Sequence, residues 1–353
     1  MAVGFPTKVD YATGDVLSAD NMNDLSGTVN LLQSAQYAAG KNAIINGDFG
    51  IWQRGTTFTN IGTGTYTADR WNVLSSNTTI DVNRSTFTPG TAPVAGYERQ
   101  FFATVTSEAT DTDSRLQQYI EDVRTFAGQT ITISFWAKSN ATTDALRWIR
   151  TQQNFGSGGS AVVNTDSAAI TLTSSWARYS VTIAVPSITG KTIGTNSFLN
   201  ISFGLKASTA QTLDLWGVQV EAGSTASPFQ TATGTKQGEL AACQRYYSRQ
   251  NIGNTGSFTL GQAYSTTNAL GYFLFPVQMR TTPSALEQTG TATNYGLSTS
   301  NLTFNDCTAV PIFNNATVIG STIVFVATGL TAGNATHLVS KNNSAYLAWS
   351  AEL

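Results

Sequence analysis

The chain has 353 residues, of which 41% are hydrophobic and only 11% charged, where a soluble globular chain typically carries roughly 25% charged residues. A net charge of −2 and the lack of any run of Lys or Arg leave nothing to follow a phosphate backbone, which excludes nucleic acid as a partner. No apolar stretch approaches the roughly 20 residues that cross a bilayer, and Thr, Ser, Asn, Gln and Gly replace the missing charges, a balance that favours β-strands closed by polar turns.

Residues 1–41 read as a polar arm with one helical signal. Ser18 is its N-cap, and Met22, Leu25, Val29 and Leu32 follow at spacings of 3, 4 and 3, the seam of a coiled coil. Helices shorter than about 12 to 15 residues are marginal alone, so this seam needs sister chains or a docking surface, and Gly27 within it weakens the helix. The opening MAVGFPTKVDYATG has no basic segment followed by an apolar one, as expected of a chain made and folded in a cytoplasm.

From 42 to 234 the hydrophobic period is two. KNAIINGDFGIWQRG gathers Ile44, Ile45, Phe49, Ile51 and Trp52 around an Asn-Gly-Asp turn and reads as a first strand, with Trp52 packed or half packed. TITISFWAKS places Ile131, Ile133 and Phe135 on one face and Thr132, Ser134, Trp136 and Lys138 on a wet one. ARYSVTIAVP alternates through Tyr179, Val181, Ile183 and Val185 and stops at Pro186; FLNISFGLKA and TLDLWGVQVEAG follow. Short strands spaced by turns, with no amphipathic helix between them, predict a two-sheet sandwich.

ATGTKQGELAACQRYYSRQ starts as a Gly-rich linker and places a boundary near 235. Residues 235–353 then read as a smaller β-domain through ALGYFLFPVQMRTTPSAL, STIVFVATGL and SAYLAWSAEL. Cys243 and Cys307 match no zinc or Cys-x-x-Cys spacing and read as two buried thiols.

Catalytic motifs are scarce. There is no P-loop, no Gly-x-Ser-x-Gly elbow and no His-Glu-x-x-His, and the single histidine, His337, has no evident orienting partner. Glu108, Asp111 and Asp113 fall in a polar loop where carboxylates are expected to be solvated, and Glu121 and Asp122 are adjacent and point to opposite faces of a strand. The aromatics are the stronger signal. An aromatic ring stacks on the apolar face of a sugar while amides and Arg bond its hydroxyls, and two stretches have that mixture: Arg115, Gln117 and Tyr119 on one, Trp136 with Lys138 on the other, with Trp148 beside them in the sequence. Each Trp has core packing as its alternative role.

NAIINGDFGIWQRG, ADRW at 68–71, SRLQQYIEDV at 114–123, ISFWAKS at 133–139, LWGVQVEAGSTASPFQ at 215–230 and CQRYY at 243–247 occur in this order. The set resembles a group of phage tail-fibre and minor virion proteins whose central domain is a carbohydrate-binding-module-like jelly roll. The opening GDVLSADNMNDL looks like the attachment arm of such fibres, and FPVQMRTTPS with YLAWSAEL is similar to their terminal domain. The resemblance implies a mainly β chain: an N-terminal helical arm (1–41) that trimerises and docks through Met22, Leu25, Val29 and Leu32, a jelly-roll sandwich (42–234) and a smaller C-terminal β-sandwich (235–353). It implies a homotrimeric, non-enzymatic virion component that binds a host surface glycan or receptor and joins other tail or capsid proteins through its arm. A head-decoration or adaptor protein shares the same build. It further implies a structural calcium at Asp48 and Asp214, with backbone carbonyls completing a shell of roughly six to eight oxygens; the alternative for Asp48 is an Asx turn. The rival from another class is a glycan-degrading enzyme using Glu108, Asp111, Asp113, Glu121 or Asp122 as acid and base.

Overall fold

The computed structural model describes residues 40–77, 80–93, 100–140, 145–299 and 304–353. Met22, Leu25, Val29 and Leu32, the expected trimerising seam, lie outside them. The first part of the described chain forms β1 (Thr57–Ile61), β2 (Trp71–Ser75), β3 (Ile80–Thr86), β4 (Phe101–Ser107), β5 (Ser114–Glu121), β6 (Thr130–Ser139), β7 (Leu146–Asn154), β8 (Val163–Asp166), β9 (Ala177–Ala184), β10 (Phe198–Leu205) and β11 (Gln211–Ala222). These build two antiparallel sheets, a six-stranded one in the order β1-β3-β4-β11-β6-β9 and a five-stranded one in the order β2-β5-β10-β7-β8.

Alternation decides what lies between the sheets. Ile131, Ile133 and Phe135 from β6, Leu213 and Leu215 from β11, Leu199, Ile201 and Phe203 from β10 and Trp71 from β2 share one buried cluster, each large apolar side chain worth about 1.5–3 kcal/mol of transfer free energy. The outer side of β6 departs from expectation. Thr132, Ser134 and Trp136 are buried rather than wet, because the chain after β11 folds back over them: Thr132 Oγ1 donates to Gly223 O (2.8 Å), and Arg178 donates to Ser134 Oγ (3.2 Å) and to Ser227 O.

The stretch read as a first strand is a turn instead. Asn46 and Phe49 take left-handed φ values of 57° and 53°, and Gly47 packs so close to β11 that a Cβ there would lie 2.2 Å from Val218 O. Two buried amides hold the turn. Asn42 Nδ2 donates to Val218 O and Gln230 O, both at 3.0 Å, while its Oδ1 accepts from Ile44 N and Val220 N. Asn46 Nδ2 donates to Ile51 O and Asp69 O, and its own carbonyl accepts from Trp71 Nε1 at 3.0 Å. Trp52 is half-buried, its Nε1 bonded to Phe49 O at 2.7 Å.

Helix α1 (Lys236–Gln244) follows, capped by Thr235, and its buried Glu239 accepts from Asn46 N at 2.8 Å. Then come β12 (Tyr247–Gln250), β13 (Ser257–Ala263), β14 (Asn268–Leu274), β15 (Glu287–Gln288), β16 (Tyr295–Thr299), β17 (Phe304–Asp306), β18 (Ile312–Ala316), β19 (Gly320–Val326), β20 (Ala335–Ser340) and β21 (Leu347–Ser350). They form a three-stranded sheet, β12-β21-β15, and a seven-stranded sheet, β17-β16-β20-β13-β14-β19-β18. Trp349, Phe273, Phe325, Tyr295 and Leu347 fill a second core, which includes Cys307, and Cys243 is buried in α1.

The two cores meet along a polar seam. Arg70, buried, pairs with Glu352 and lays its guanidinium 3.4 Å from the Tyr246 ring centroid. Arg54 lies 3.5 Å from the ring centroid of Tyr247, Arg245 pairs with Glu121 at 3.1 Å, and Arg280 donates to Ala351 O (2.7 Å) and Glu352 O (2.8 Å).

Candidate functional site

The five-stranded sheet turns its outer face away from the core, and register fixes which side chains share it. Leu199, Ile201 and Phe203 point inward, so Phe198, Asn200, Ser202 and Gly204 of β10 point outward. Pairing sets four rows beside them: Glu121 and Asn154 flank Phe198, Tyr119 and Gln152 flank Asn200, Gln117 and Arg150 flank Ser202, and Arg115 and Trp148 flank Gly204. Asn72 extends the third row on β2, and Asp166 closes it on β8. From Phe198 to Gly204 the face runs about 20 Å at roughly 3.3 Å per residue.

Amides tie the middle of the face together. Gln117 Nε2 donates to Asn72 Oδ1 and to the Tyr119 hydroxyl, both at 2.9 Å, and Gln117 Oε1 accepts from Asn200 Nδ2 at 2.9 Å and Ser202 Oγ at 3.3 Å. Gln117 is thereby saturated. At one end of the ladder, Asn200 Oδ1 is a buried polar atom without a hydrogen-bond partner. Tyr119, held by Gln117, packs on Phe198 with ring centroids 4.4 Å apart, and both rings are half-buried.

Trp148 occupies the other end. A Cβ on Gly204 would lie 2.8 Å from three atoms of the indole, so the ring lies flat over a position that only glycine vacates. The guanidinium carbons of Arg115, Arg147 and Arg150 lie 5.0, 4.8 and 4.3 Å from its centroid. Alternation alone would send Arg147 inward. A break in the β10–β7 register, where Gly204 pairs with Trp148 and Leu205 with Leu146, leaves Arg147 as the extra residue and re-aims it to this side. Asp113 pairs with both Arg115 and Arg147, and Asp166 pairs with Arg150 at 2.6 Å. The Arg150 hydrogen bond holds the Asp166 carboxyl below its ordinary range, while burial lowers Arg147.

Arg115, Gln117, Tyr119 and Trp148 are thus brought together, whereas the other expected pair sits on the far side of the sandwich. Trp136 is 8% exposed and packs with Phe87, Phe102, Trp216 and Phe229 in a closed aromatic cluster outside the six-stranded sheet. Lys138 pairs with Asp214 at 3.2 Å and lies 5.6 Å from the Trp176 ring centroid. Register sets β6 and β5 in different sheets, so Trp136 and Lys138 do not share a face with Tyr119 and Trp148. The face instead recruits Asn72, Phe198, Asn200, Ser202, Arg147 and Arg150. The alternation of FLNISFGLKA carries the signal for Phe198, Asn200 and Ser202; the bulge at Arg147 has none.

The calcium positions do not fit the ion. Asp214 Oδ1 accepts from Thr104 Oγ1 at 2.6 Å and its other oxygen meets the Lys138 ammonium. Asp48 lies beside Gly47, whose carbonyl bonds Val218 N of β11. Among the described residues no group of three or more His, Cys, Asp or Glu is placed to hold a metal. Asp48 Oδ1 accepts from Gly50 N at 3.2 Å, the Asx-turn bond.

Of the loop carboxylates expected to be solvated, Asp111 departs. Asp111 is 1% exposed and accepts from Ser75 Oγ, Ser76 Oγ and Asn77 N at 3.0–3.1 Å. Glu121 is paired with Arg245 and Asp122 with Arg124, while Glu108 is exposed. His337 is exposed on β20, opposite Leu260 and Ser298.

No family model and no curated protein matches the chain. Solved structures do. The enzymatically active domain of tailspike protein 4 of bacteriophage CBA120 is 14% identical over 52% of this chain and 21% of its own, with a TM-score of 0.32. The xylan-binding module CBM22-1 of Paenibacillus barcinonensis Xyn10C is 13% identical over 53% of this chain and 98% of its own, with a TM-score of 0.31. The N-terminal cellulose-binding domain of Cellulomonas fimi β-1,4-glucanase C is 16% identical over 49% of this chain and 97% of its own, with a TM-score of 0.29. This chain spans about a fifth of the tailspike and nearly the whole of the two binding modules. At such TM-scores these likenesses carry no argument about function.

Proposed function

We propose that this chain is a non-enzymatic glycan-binding component of a phage particle, a trimeric fibre that holds a host surface polysaccharide on the outer face of its five-stranded sheet. The observation that carries the glycan reading is the register: half-buried Tyr119, Phe198 and Trp148 share one face with a ladder of amides. Flat rings receive the apolar faces of sugars while amides and guanidiniums take the hydroxyls. The virion role rests on the ordered motifs of the sequence and on the resemblance of the arm, which joins the particle.

The test is a glycan array probed with the full-length chain, followed by an assay for new reducing ends on every glycan bound. Binding without cleavage is expected. Failure to bind any surface glycan overturns the proposal, and release of reducing ends replaces it with the enzyme reading. For the arm, a chain lacking residues 1–40 is expected to stay folded but to be lost from assembled particles; normal incorporation contradicts the docking role.

A further inference from the structure

Both ends of the outer face are lined with arginine. At one end, Arg115, Arg147 and Arg150 surround Trp148 and pair with two carboxylates, Asp113 and Asp166, while Arg147 also donates to Thr112 O at 3.1 Å. At the other, beyond Phe198, an open pocket of about 410 Å³ at the seam is lined by Arg124, Arg245 and Arg280 with Glu121 and Asp122. At the Trp148 end three guanidiniums face two carboxylates, an excess of one positive charge on a chain whose net charge is −2, and at the seam three guanidiniums share the pocket with Glu121, Asp122 and Leu353.

The excess falls on particular residues. Asp113 is divided between Arg115 and Arg147, and Arg147 Nε is a buried donor without a partner. Arg280 bonds the carbonyls of Ala351 and Glu352 and the amide oxygen of Asn196, all neutral acceptors. A guanidinium placed against neutral oxygens keeps its full charge for a ligand, and its planar fork matches a carboxylate.

We infer that the ligand is an acidic polysaccharide, laid along β10 from Trp148 to the seam pocket, with carboxylate groups of its sugars received by Arg147 at one end and Arg280 at the other. The inference rests on the glycan reading and names the chemical class that it takes. The rings and amides between the ends hold the uncharged faces and hydroxyls of the same chain, so the charge selects the ligand while the middle supplies contact.

The experiment uses the full-length protein and a panel of uronate-containing bacterial capsular polysaccharides, each beside its own carboxyl-reduced copy and beside neutral polysaccharides. Binding is expected to acidic members, to weaken as salt rises, and to fall at least about tenfold on carboxyl reduction. Arg147→Gln and Arg280→Gln are expected to weaken the acidic parent by roughly tenfold each and the reduced copy by clearly less, whereas Trp148→Ala weakens both alike. Equal binding of parent and reduced copy, or binding to neutral members alone, overturns the acidic class and leaves glycan binding standing. Loss of neither affinity in the two Arg variants overturns the assignment of the two ends. Binding to nothing in the panel overturns this inference and the glycan reading together.

Discussion

Arg70 and Glu352, 282 residues apart in the chain, form an ion pair in which the arginine side chain is 1% exposed and the glutamate 6%. The guanidinium also donates to Tyr119 O and covers the Tyr246 ring. One side chain therefore links the strand that carries Tyr119, the segment after α1 and the end of the C-terminal core. Removing one partner of a buried pair strands the other charge, which costs about 3–5 kcal/mol. Glu352→Ala is expected to lower the free energy of unfolding by about that much in urea titrations, and Arg70→Met with Glu352→Leu to recover most of the loss. A cost below about 0.5 kcal/mol for the single variant would place the pair among inert surface contacts.

Asp69 sits one residue away and behaves oppositely. Burial pushes its carboxyl from 3.8 up to about 6, although it accepts from Gln53 N at 2.8 Å and from Gln53 Nε2. Between those two values the folded chain holds a proton that the unfolded chain has released, so this group makes stability fall as pH rises through the interval. Acidification from pH 7 to 5 is expected to gain about 1 kcal/mol from Asp69. Asp69→Asn removes that slope, which denaturation series of both proteins at the two pH values will show.

Gly204 is the floor under Trp148. The Cβ of Gly204→Ala meets the indole at 2.8 Å, so the ring must leave its seat, with an overpacking cost of about 1–3 kcal/mol. Glycan affinity is expected to drop about tenfold for the loss of one stacked ring and its arginine contacts. Calorimetric titration beside a thermal melt separates the two effects.

Asn42 makes four buried hydrogen bonds, two to Val218 and Val220 of β11, one to Gln230 O and one to Ile44 N of the turn itself. Asn42→Ala leaves those backbone groups unpaired and is expected to cost about 3 kcal/mol. A calcium chelator, by contrast, is expected to leave the melting temperature unchanged, since an amide holds this junction and both oxygens of Asp214 are engaged by Thr104 and Lys138. A fall in melting temperature with chelator would contradict that.

The alternation of β6 and β10 made the inner faces legible in the sequence: Ile131, Ile133, Phe135, Leu199, Ile201 and Phe203 lie where period two puts them. It did not reveal what covers the outer faces. Trp136 has the pattern of a wet residue and is buried because Ser227 to Gln230, distant in sequence, fold across it. The Asn-Gly-Asp stretch failed as a strand for a local reason, since left-handed Asn46 and the contact at Gly47 impose a turn. Half the face was visible in Arg115, Gln117 and Tyr119, whose spacing of two is strand spacing. The rest depends on which strands become neighbours and on one bulge, which no single segment encodes.

The most direct test of the central claim is to compare the affinity of Tyr119→Ala, Trp148→Ala and Trp176→Ala proteins for one bound polysaccharide, each checked for an unchanged fold by circular dichroism. Tyr119 and Trp148 lie on the five-stranded face, and Trp176 packs against the aromatic cluster on the opposite side. Loss of at least about tenfold in the first two variants, with Trp176→Ala unchanged, is the expected result. Loss in Trp176→Ala alone would put the glycan on the other sheet and contradict the account.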